Sequence, residues 1–370
     1  MCFLAEIMSL ILPSLALFTP LLLIVTILLS GASSSFAFHV PKAPQNRGAT
    51  VRLNMGASSS SSTLSDNTQF AFQHKSILLT GASRGLGRSL AHQLSTCNPS
   101  LLILSGRDAN ALKEVQQECL QIAKQANSDA SEQMNVEIVV CDLSDKASVE
   151  SLASQSLQLA PIHQFTSNNT QCSGIIDVLI NNGGISSRSS FLETKMEVDE
   201  RLMQVNFFSG AALAKRIVPK MVEKEYGGGK VIWISSVQGK VGTPYRTSYA
   251  ASKFAVQGYC EALRSELAAN DISVHVVSPG YIRTNLSLSA VMGDGQSYSK
   301  MDETTANGAD PDEVATNILN SVASGKTDFV VAATFSAKAA MWLKFLAPSF
   351  LERMLVKRFE KQQIELKKND

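Results

Sequence analysis

The sequence predicts a single α/β domain built on a doubly wound parallel sheet. Six short apolar runs lie between Lys75 and Gly280, and segments with apolar residues at helical spacing, such as Leu86, Leu90 and Leu94, separate them. Runs that are apolar throughout, rather than alternating, indicate strands that are buried on both faces. Strands that alternate with helices form a parallel sheet through right-handed crossovers.

The predicted strands follow one another at intervals that leave room for a helix. They cover residues 75–80, 100–105, 136–143, 175–182, 230–235 and 272–280. A sheet of this kind binds ligands at the carboxyl ends of its strands, and the polar motifs of this sequence fall at those ends. The sequence places the domain at residues 73–335, between an N-terminal targeting segment and a C-terminal amphipathic tail.

Composition and charge exclude several functional classes. The chain has 370 residues, of which 45% are hydrophobic and 18% charged, as in a globular protein with one or two cores. Its net charge of +1 provides no bulk field to attract nucleic acid, so no nucleic-acid partner is expected. The six cysteines and five histidines are scattered without ligand spacing, so neither a disulfide framework nor a metal site is predicted.

Residues 1–72 have the composition of a targeting segment. Residues 9–32 carry no charge and are long enough to span a bilayer, as a signal peptide or a retained anchor. A Ser-rich stretch with basic residues and no acid until Asp66 follows. It resembles the transit part of a bipartite plastid address in algae with secondary plastids, or it is a linker behind an anchor. The sequence therefore predicts entry into the secretory pathway, towards such a plastid or the endoplasmic reticulum membrane.

A glycine-rich loop follows the first strand and opens the first helix, in "LLTGASRGLGRSL". Gly81, Gly85 and Gly87 give a TGxxxGxG spacing, with Ser83 and Leu86 between them. Glycines let the backbone approach a pyrophosphate, and the helix N-terminus supplies free N–H groups. A plain tight turn explains one glycine but not three at these spacings. The loop is typical of a Rossmann-type dinucleotide site.

The end of the second strand favours NADPH over NADH. An NAD site usually has an acid here, which binds the ribose 2′-hydroxyl, whereas this chain has Gly106 and then Arg107. With Arg84 in the glycine-rich loop, two guanidinium groups suit a 2′-phosphate. Asp108 lies one place later than expected for an NAD site, and it could instead pair with Arg107.

The third and fourth strands end in polar groups. Asp142, followed by Leu143, could accept a hydrogen bond from the adenine amino group or cap the next helix. Asn182 and Gly183 in the "NNGG" motif suit contact with adenosine and the neighbouring loops.

After the sixth strand, "SPGYIRT" returns the chain over the nicotinamide. Pro279 and Gly280 form the turn, and the Ile282 backbone and Thr284 are expected to meet the carboxamide and phosphates.

These motifs, in this order, resemble the short-chain dehydrogenase/reductase family. TGASRGLG, CDL, NNGG, VNF, ISS, YAASK and SPG all occur between residues 75 and 331. The NNGG motif departs from the usual NNAG only at Gly183. "ISSVQGKVGTPYRTSYAASK" and "SPGYIRTNLSLSA" are similar to the 7B-type group of the family. That likeness implies a membrane-anchored reductase linked to acyl- and alkyl-dihydroxyacetone phosphate.

Tyr249 and Lys253 are the predicted proton donor and its helper. Residues four apart share one face of a helix. A free Tyr titrates near pH ~10, and a Lys close to the phenol is expected to lower that pKa, as is the positive nicotinamide of the oxidised cofactor. The resemblance implies that Lys253 also binds the nicotinamide ribose.

The resemblance completes a set of four residues. Ser236 lies thirteen residues before Tyr249, the family's spacing for the serine that binds the substrate oxygen, and Ser235 is the alternative. Asn206 falls within a predicted helix, where asparagine has poor propensity. The family's pattern implies that it holds a water that contacts Lys253, and the alternative is a satisfied core amide.

Two segments after Thr284 are candidates for contact with the substrate or with a membrane. A long Gly- and Ser-rich stretch after Thr284 could be a lid, whose Leu286, Leu288, Val291 and Met292 cover a lipophilic substrate, or an ordinary surface loop. The tail at 336–370 mixes aromatic and basic residues. It could lie on a membrane, close over the pocket, pack on the domain or meet a partner in a homodimer or homotetramer.

The resulting hypothesis is an NADPH-dependent reductase of a ketone or aldehyde group on a small lipophilic substrate, with a glycerolipid precursor as one candidate. One alternative is an NAD(P)-linked dehydrogenase of alcohols such as hydroxysteroids or retinol. The other is a cofactor-binding scaffold without turnover.

Overall fold

The computed structural model of the protein describes residues 63–126, 134–161, 174–223 and 228–369. The predicted signal or anchor at residues 9–32 lies outside this range. Within the described residues, the structure contains no helix that is both long enough and apolar enough to cross a membrane.

The domain is a single sheet of seven parallel strands in the order β3-β2-β1-β4-β5-β6-β7. The strands are β1 (Ser76–Thr80), β2 (Leu101–Gly106), β3 (Asn135–Val140), β4 (Val178–Asn181), β5 (Gly229–Ile234), β6 (Ile272–Pro279) and β7 (Asp328–Val331). The predicted doubly wound parallel sheet is confirmed, with all six predicted strands present. Successive strands are added on one side of β1 up to β3 and on its other side from β4 onward. This change in the order of the strands opens a crevice at their carboxyl ends, between β1 and β4.

Helices cover both faces of the sheet. They are α1 (Asp66–Phe72), α2 (Gly85–Thr96), α3 (Ala109–Ala126), α4 (Lys146–Leu159), α5 (Met196–Met203), α6 (Ser209–Val222), α7 (Thr247–Leu267), α8 (Glu303–Ala306), α9 (Pro311–Ala323), α10 (Phe335–Leu346) and α11 (Pro348–Asn369). A π-helical turn at Gln204–Phe208 joins α5 to α6.

The strands are buried on both faces, as their apolar runs predict. In β1, Ile77 and Leu79 join the core beneath α2 and α9, whereas Leu78 joins the core beneath α6 and α7. All three side chains are fully buried. Burial of apolar surface on both faces is the main force that holds such a layered domain together.

The edge strand β7 was not predicted. It has only four residues, "DFVV", and its first three are exposed or half-buried. It pairs with β6 from Val276↔Asp328 to Pro279↔Val331. A short, half-exposed edge strand lacks the long apolar run that marks the inner strands, so only its pairing identifies it.

Helix α1 precedes residue 73, at which the sequence places the start of the domain. Helix α1 packs onto the domain: Phe72 is fully buried in the core, and the Thr68 hydroxyl donates to Asn320 Oδ1 of α9 at 2.6 Å. Ser65 caps the helix by accepting from the Thr68 N–H. The sequence around α1 is mostly polar, and only Phe72 anchors the helix in the core. Composition alone therefore assigns this helix to the linker.

The tail folds into α10 and α11, which lean on the segment that precedes α7. Leu351 is buried there, the Phe359 ring lies 5.3 Å from the Tyr245 ring, and Lys344 Nζ donates to the Lys240 carbonyl at 2.7 Å. The tail thus packs on the domain, and it also presents large apolar side chains to its surroundings, among them Trp342 and Phe345.

Candidate active site

One large cavity lies at the carboxyl ends of the strands. Its volume is about 840 Å³, and it extends from the glycine-rich loop to the start of α7. The predicted residues that line it are Gly81, Ser83, Arg84, Gly85, Leu86, Gly87, Arg107, Asp142, Leu143, Asn182, Gly183, Ser236, Tyr249, Lys253, Pro279, Gly280, Ile282 and Thr284. Asn206 lies behind this wall.

The loop after β1 has the shape that its glycines predict. Gly81 has φ +67°, a left-handed conformation that side chains disfavour. A Cβ on Gly87 would collide with the Gly81 carbonyl oxygen, whereas a Cβ on Gly183 would require the end of the Leu143 side chain to shift. Gly87 therefore leaves room only for backbone, and Gly85 starts α2, whose first residues line the cavity. The loop therefore fits the pyrophosphate of a dinucleotide.

Asn182 holds this loop in place. Its Nδ2 donates to the Thr80 carbonyl at 2.9 Å and to the Gly81 carbonyl at 3.1 Å. The backbone N–H groups of Asn182 and Gly183 both donate to the Thr80 hydroxyl. The side chain of Asn182 thus contacts the neighbouring loop, as its motif predicts. Thr80 is a structural partner that the sequence reading missed.

The end of β2 carries positive charge. Arg84 and Arg107 both line the cavity. Asp108 accepts hydrogen bonds from the Asn110 and Ala111 N–H groups, which places its carboxylate at the start of α3. The structure therefore gives Asp108 a role that neither prediction named, that of a helix cap.

Asp142 is held as a carboxylate and does not cap the next helix. Asp145 caps α4 instead. Burial opposes ionisation of Asp142, but the Ser144 N–H and hydroxyl, with the charges of Arg107 and Arg201, hold its pKa below the usual value. A charged acceptor at this edge fits the predicted contact with an adenine amino group.

Tyr249 and Lys253 lie on one buried face of α7. Lys253 Nζ is 5.8 Å from the centroid of the Tyr249 ring and donates to the Ile234 carbonyl at 2.9 Å. Ser236, just beyond β5, lies beside Tyr249 and acts to lower the pKa of its phenol. Ser235 points elsewhere, since its hydroxyl donates to the Lys253 carbonyl and accepts from Gln257. The structure thus brings Ser236 rather than Ser235 to the tyrosine.

Burial shifts the pKa values of both Tyr249 and Lys253. Burial raises the pKa of Tyr249, and it outweighs the opposing effects of Ser236 and of the Arg188 charge. Burial also lowers the pKa of Lys253 to about 8. Loss of water around the phenol is therefore the largest influence on Tyr249, and the lowering expected from Lys253 and the oxidised nicotinamide stays a prediction.

Asn206 lies in the π-helical turn rather than in a regular helix. Its amide clamps the backbone of Ile185: Oδ1 accepts from the Ile185 N–H at 2.8 Å, and Nδ2 donates to the Ile185 carbonyl and to Ser252 Oγ. Asn206 Oδ1 and Lys253 Nζ both lie beside Gly184. The turn thus places the amide next to the lysine, and its predicted role in holding water stays a prediction.

The chain after β6 closes the cavity. The Gly280 N–H donates to the Val331 carbonyl of β7, and Ile282 forms a bridge with Ala309. Thr284 lies against the glycine-rich loop, since its Cγ2 would be 3.1 Å from a Cβ on Gly85. This return segment links both ends of the cavity.

The sequence reading missed a charged cluster at the far end of the cavity. Arg188, Arg246 and Asp302 meet there with Ser186 and Ser287. No local motif marks these residues, because they come from three separate loops. Their only sequence signal is that charged residues occur beside the predicted catalytic motifs.

The profile of the short chain dehydrogenase family matches residues 75–291. Similar proteins include a dehydrogenase/reductase SDR family protein 7-like of Anopheles gambiae, 41% identical over 78% of this chain and 84% of that one. A dehydrogenase/reductase SDR family member 7B of Bos taurus is 40% identical over 78% of this chain and 82% of that one.

Solved structures share the fold. A short-chain dehydrogenase from Sphingobium yanoikuyae in complex with NADPH superposes with a TM-score of 0.55 at 23% identity, over 72% of this chain and 91% of that one. One from Burkholderia phymatum in complex with NAD gives 0.59 at 19% identity, over 75% and 95%. The seven-stranded parallel sheet agrees with these likenesses. The chain belongs to the short-chain dehydrogenase/reductase family and is an NAD(P)-dependent oxidoreductase.

Proposed function

We propose that the protein is an NADPH-dependent reductase of a ketone or aldehyde group on a lipophilic substrate, with a glycerolipid precursor as the first class to test. The observation that carries the reaction type is that Tyr249, Ser236 and Lys253, all buried, line one cavity that begins at the glycine-rich loop, with Lys253 Nζ 5.8 Å from the Tyr249 ring centroid. A proton donor, a second hydroxyl and a cation therefore border the same space.

The bound nicotinamide cofactor supplies the hydride. Tyr249 donates the proton to the carbonyl oxygen as that oxygen gains charge, and Ser236 donates a hydrogen bond to the same oxygen. The raised pKa of Tyr249 keeps the phenol protonated before the reaction. Lys253 stabilises the phenolate that remains, since its ammonium group lies near the ring.

The preference for NADPH is supported by the end of β2. Arg84 and Arg107 line the cavity, and the carboxylate of Asp108 is engaged by the start of α3. Gly106 lies against Ser83, since a Cβ on Gly106 would be 3.3 Å from Ser83 Oγ. Two guanidinium groups at this place suit a 2′-phosphate, and they provide no acceptor for a free 2′-hydroxyl.

The lipophilic nature of the substrate is supported by the segment after Thr284. Leu286 lines the cavity, and Leu288 and Met292 are more than a third exposed nearby. Apolar side chains on the loop beside the reacting group suit a hydrocarbon chain.

Membrane association is part of the same proposal. The tail presents Phe335, Trp342, Phe345 and Phe350 with more than half of each side chain exposed. Aromatic residues beside basic ones favour a membrane surface. The proposal also includes targeting through the secretory pathway, to a secondary plastid or to the endoplasmic reticulum. It further includes assembly as a homodimer or homotetramer.

The deciding experiment is a panel of carbonyl substrates, including ketone-bearing glycerolipid precursors, with NADPH oxidation as the readout. We expect Tyr249→Phe to lower kcat by about 10²–10⁴-fold while NADPH binding is retained, because only the proton donor is lost. Tyr259→Phe, on the same helix but packed against Phe207 and Trp233, is the matched control. Unchanged turnover in Tyr249→Phe contradicts the assignment.

Arg107→Asp tests the cofactor preference. We expect the ratio of kcat/KM with NADPH to that with NADH to fall at least about tenfold, because a charge-assisted contact to the phosphate becomes a repulsion. Arg216→Asp makes the same charge change on the remote helix α6 and should leave the ratio as it is. An unaltered ratio in Arg107→Asp would show that this residue does not bind the 2′-phosphate.

A further inference from the structure

Three charged side chains meet at the far end of the cavity, away from the glycine-rich loop. Arg188 Nε donates to Asp302 Oδ2 at 2.8 Å, and Arg246 Nη2 donates to the same oxygen at 3.3 Å. Their side chains are 9%, 13% and 16% exposed for Arg188, Arg246 and Asp302. Ion pairs this far from water resist salt screening, unlike surface pairs.

The Arg188 guanidinium is occupied by protein partners. Its Nη1 donates to Ser186 Oγ at 2.7 Å and to the Ser187 carbonyl at 2.8 Å, and its Nη2 donates to Asp302 and Ser287. Asp302 also accepts from the Ser287 hydroxyl at 3.2 Å. All three nitrogens thus hold other parts of the chain, which indicates a joint rather than a ligand site.

The joint connects three separate stretches of chain. Arg188 follows β4, Arg246 precedes α7, and Asp302 belongs to the segment between β6 and α9. The backbone repeats the connection, because the Arg188 N–H donates to the Val291 carbonyl and the Val291 N–H donates to the Ser186 carbonyl. We call residues 284–306 the closing segment.

The closing segment reaches the catalytic tyrosine. Val291 is buried in a cluster with Tyr249, Leu202 and Val205. The Arg246 carbonyl accepts the Ala250 N–H in the first turn of α7, so the guanidinium of Arg246 and the position of Tyr249 belong to the same helix start. The closing segment and the first turn of α7 therefore both contact the surroundings of Tyr249.

We propose that Arg188, Arg246 and Asp302 form a latch that fixes the closing segment over the active site, and that Arg188, held there, is also a positioning residue that acts on proton transfer by Tyr249 through its charge. The second half of this inference rests on the proposed function, whereas the latch itself does not.

The charges around Tyr249 fix the sign of the effect. The groups that act on its phenol are Ser236 after β5, Arg188 after β4 and Tyr281 after β6. Lys253 on the same helix lies 5.8 Å from the ring centroid. Arg201 on α5 and Arg246 line the same cavity, and Asp302 pairs with Arg188 and Arg246. The positive charge of Arg188 lowers the pKa of Tyr249 against the effect of burial. Removal of that charge must raise the pKa of the phenol.

The latch is tested by hydrogen exchange of the full-length protein, which requires no substrate. In Asp302→Asn we expect the amides of Arg188 and Val291 to exchange at least about tenfold faster, because the two guanidinium groups lose their shared carboxylate. Arg283→Gln breaks the exposed Arg283–Asp310 pair in the same stretch and is the matched control. Equal exchange in Asp302→Asn and the wild type would overturn the latch.

The positioning role is tested by titrating the Tyr249 phenol, as the difference in phenolate absorbance between each protein and its Tyr249→Phe form. In Arg188→Gln we expect the titration to move to higher pH, while Arg188→Lys keeps the wild-type midpoint because it keeps the charge. Both should accelerate exchange of the closing segment, since neither replaces the guanidinium fork.

Equal midpoints in Arg188→Gln and Arg188→Lys would overturn the positioning role. A wild-type protein that is inactive on the whole carbonyl panel would refute the proposed function, while exchange and titration would still decide the latch and the charge effect. If Arg188→Gln does not fold, hydrogen exchange of the closing segment is measured in Arg188→Lys and in Asp302→Asn. Faster exchange than in the wild type in both variants supports the latch. Unchanged exchange in either variant contradicts it.

Discussion

The two ends of the cavity are built in different ways. The cofactor end consists of backbone from adjacent strand ends, with Gly81 and Gly87 packed against Asn182. The substrate end consists of side chains that are far apart in sequence, such as Arg188 and Asp302, which are 114 residues apart. The shape of the cofactor end depends on glycines at positions where a Cβ would overlap with backbone. The shape of the substrate end depends on ion pairs and hydrogen bonds between side chains. Substitutions should therefore break the cofactor end through steric overlap and the substrate end through lost polar partners.

The largest effect on cofactor affinity is expected at the cofactor end. Gly87→Ala places a Cβ against the Gly81 carbonyl and Asn182 Nδ2, so the loop must shift. We expect NADPH to bind roughly 10–100-fold more weakly, measured by NADPH fluorescence titration. Gly258→Ala is the matched control, because a Cβ at Gly258 in α7 meets nothing within 4 Å. It should raise stability by about 0.5–1 kcal/mol, since alanine suits a helix interior better. Equal cofactor affinity in both variants would contradict the steric account.

Between the two ends of the cavity, the pH dependence of kcat/KM is expected to follow the protonation of Lys253. Burial lowers its pKa to about 8, so the ammonium is present below that pH and is lost above it. Since the ammonium stabilises the phenolate, kcat/KM for carbonyl reduction should fall by up to about tenfold per pH unit above pH ~8. The measurement is a kcat/KM profile from pH ~6 to ~10. A profile that stays flat through pH ~9 would show that the charge of Lys253 is not required.

The smallest effect is expected at the substrate end. The Ser287 hydroxyl is fully buried, and it hydrogen-bonds Thr305 at 2.8 Å and Asp302 at 3.2 Å. Ser287→Ala should lower the free energy of unfolding by about 1 kcal/mol, as judged by urea denaturation. It should change kcat/KM a few-fold and leave NADPH affinity as it is, because Ser287 does not hold the glycine-rich loop. An NADPH affinity that falls as far as in Gly87→Ala would show that the two ends are not separate.

Much of the fold was predictable because its signals are local. The inner strands are continuous apolar runs, and the glycine-rich loop needs particular residues at particular spacings. Helix α1 and strand β7 were not predicted, because each depends on one or two contacts: Phe72 in the core, and the pairing of Val331 with Pro279. Asn206 was placed in a helix, but the π-helical turn that aims its amide at Ile185 has no signature in the sequence.

The sequence by itself determined the sheet, the position of the dinucleotide loop and the identity of the Tyr-Lys pair, since spacing along one chain decides which residues share a strand end or a helix face. Only the tertiary structure decided that burial raises the pKa of the phenol and that Arg188, Arg246 and Asp302 come together. The physical reason is that desolvation and charge pairing depend on distances between residues remote in sequence, which no local pattern records.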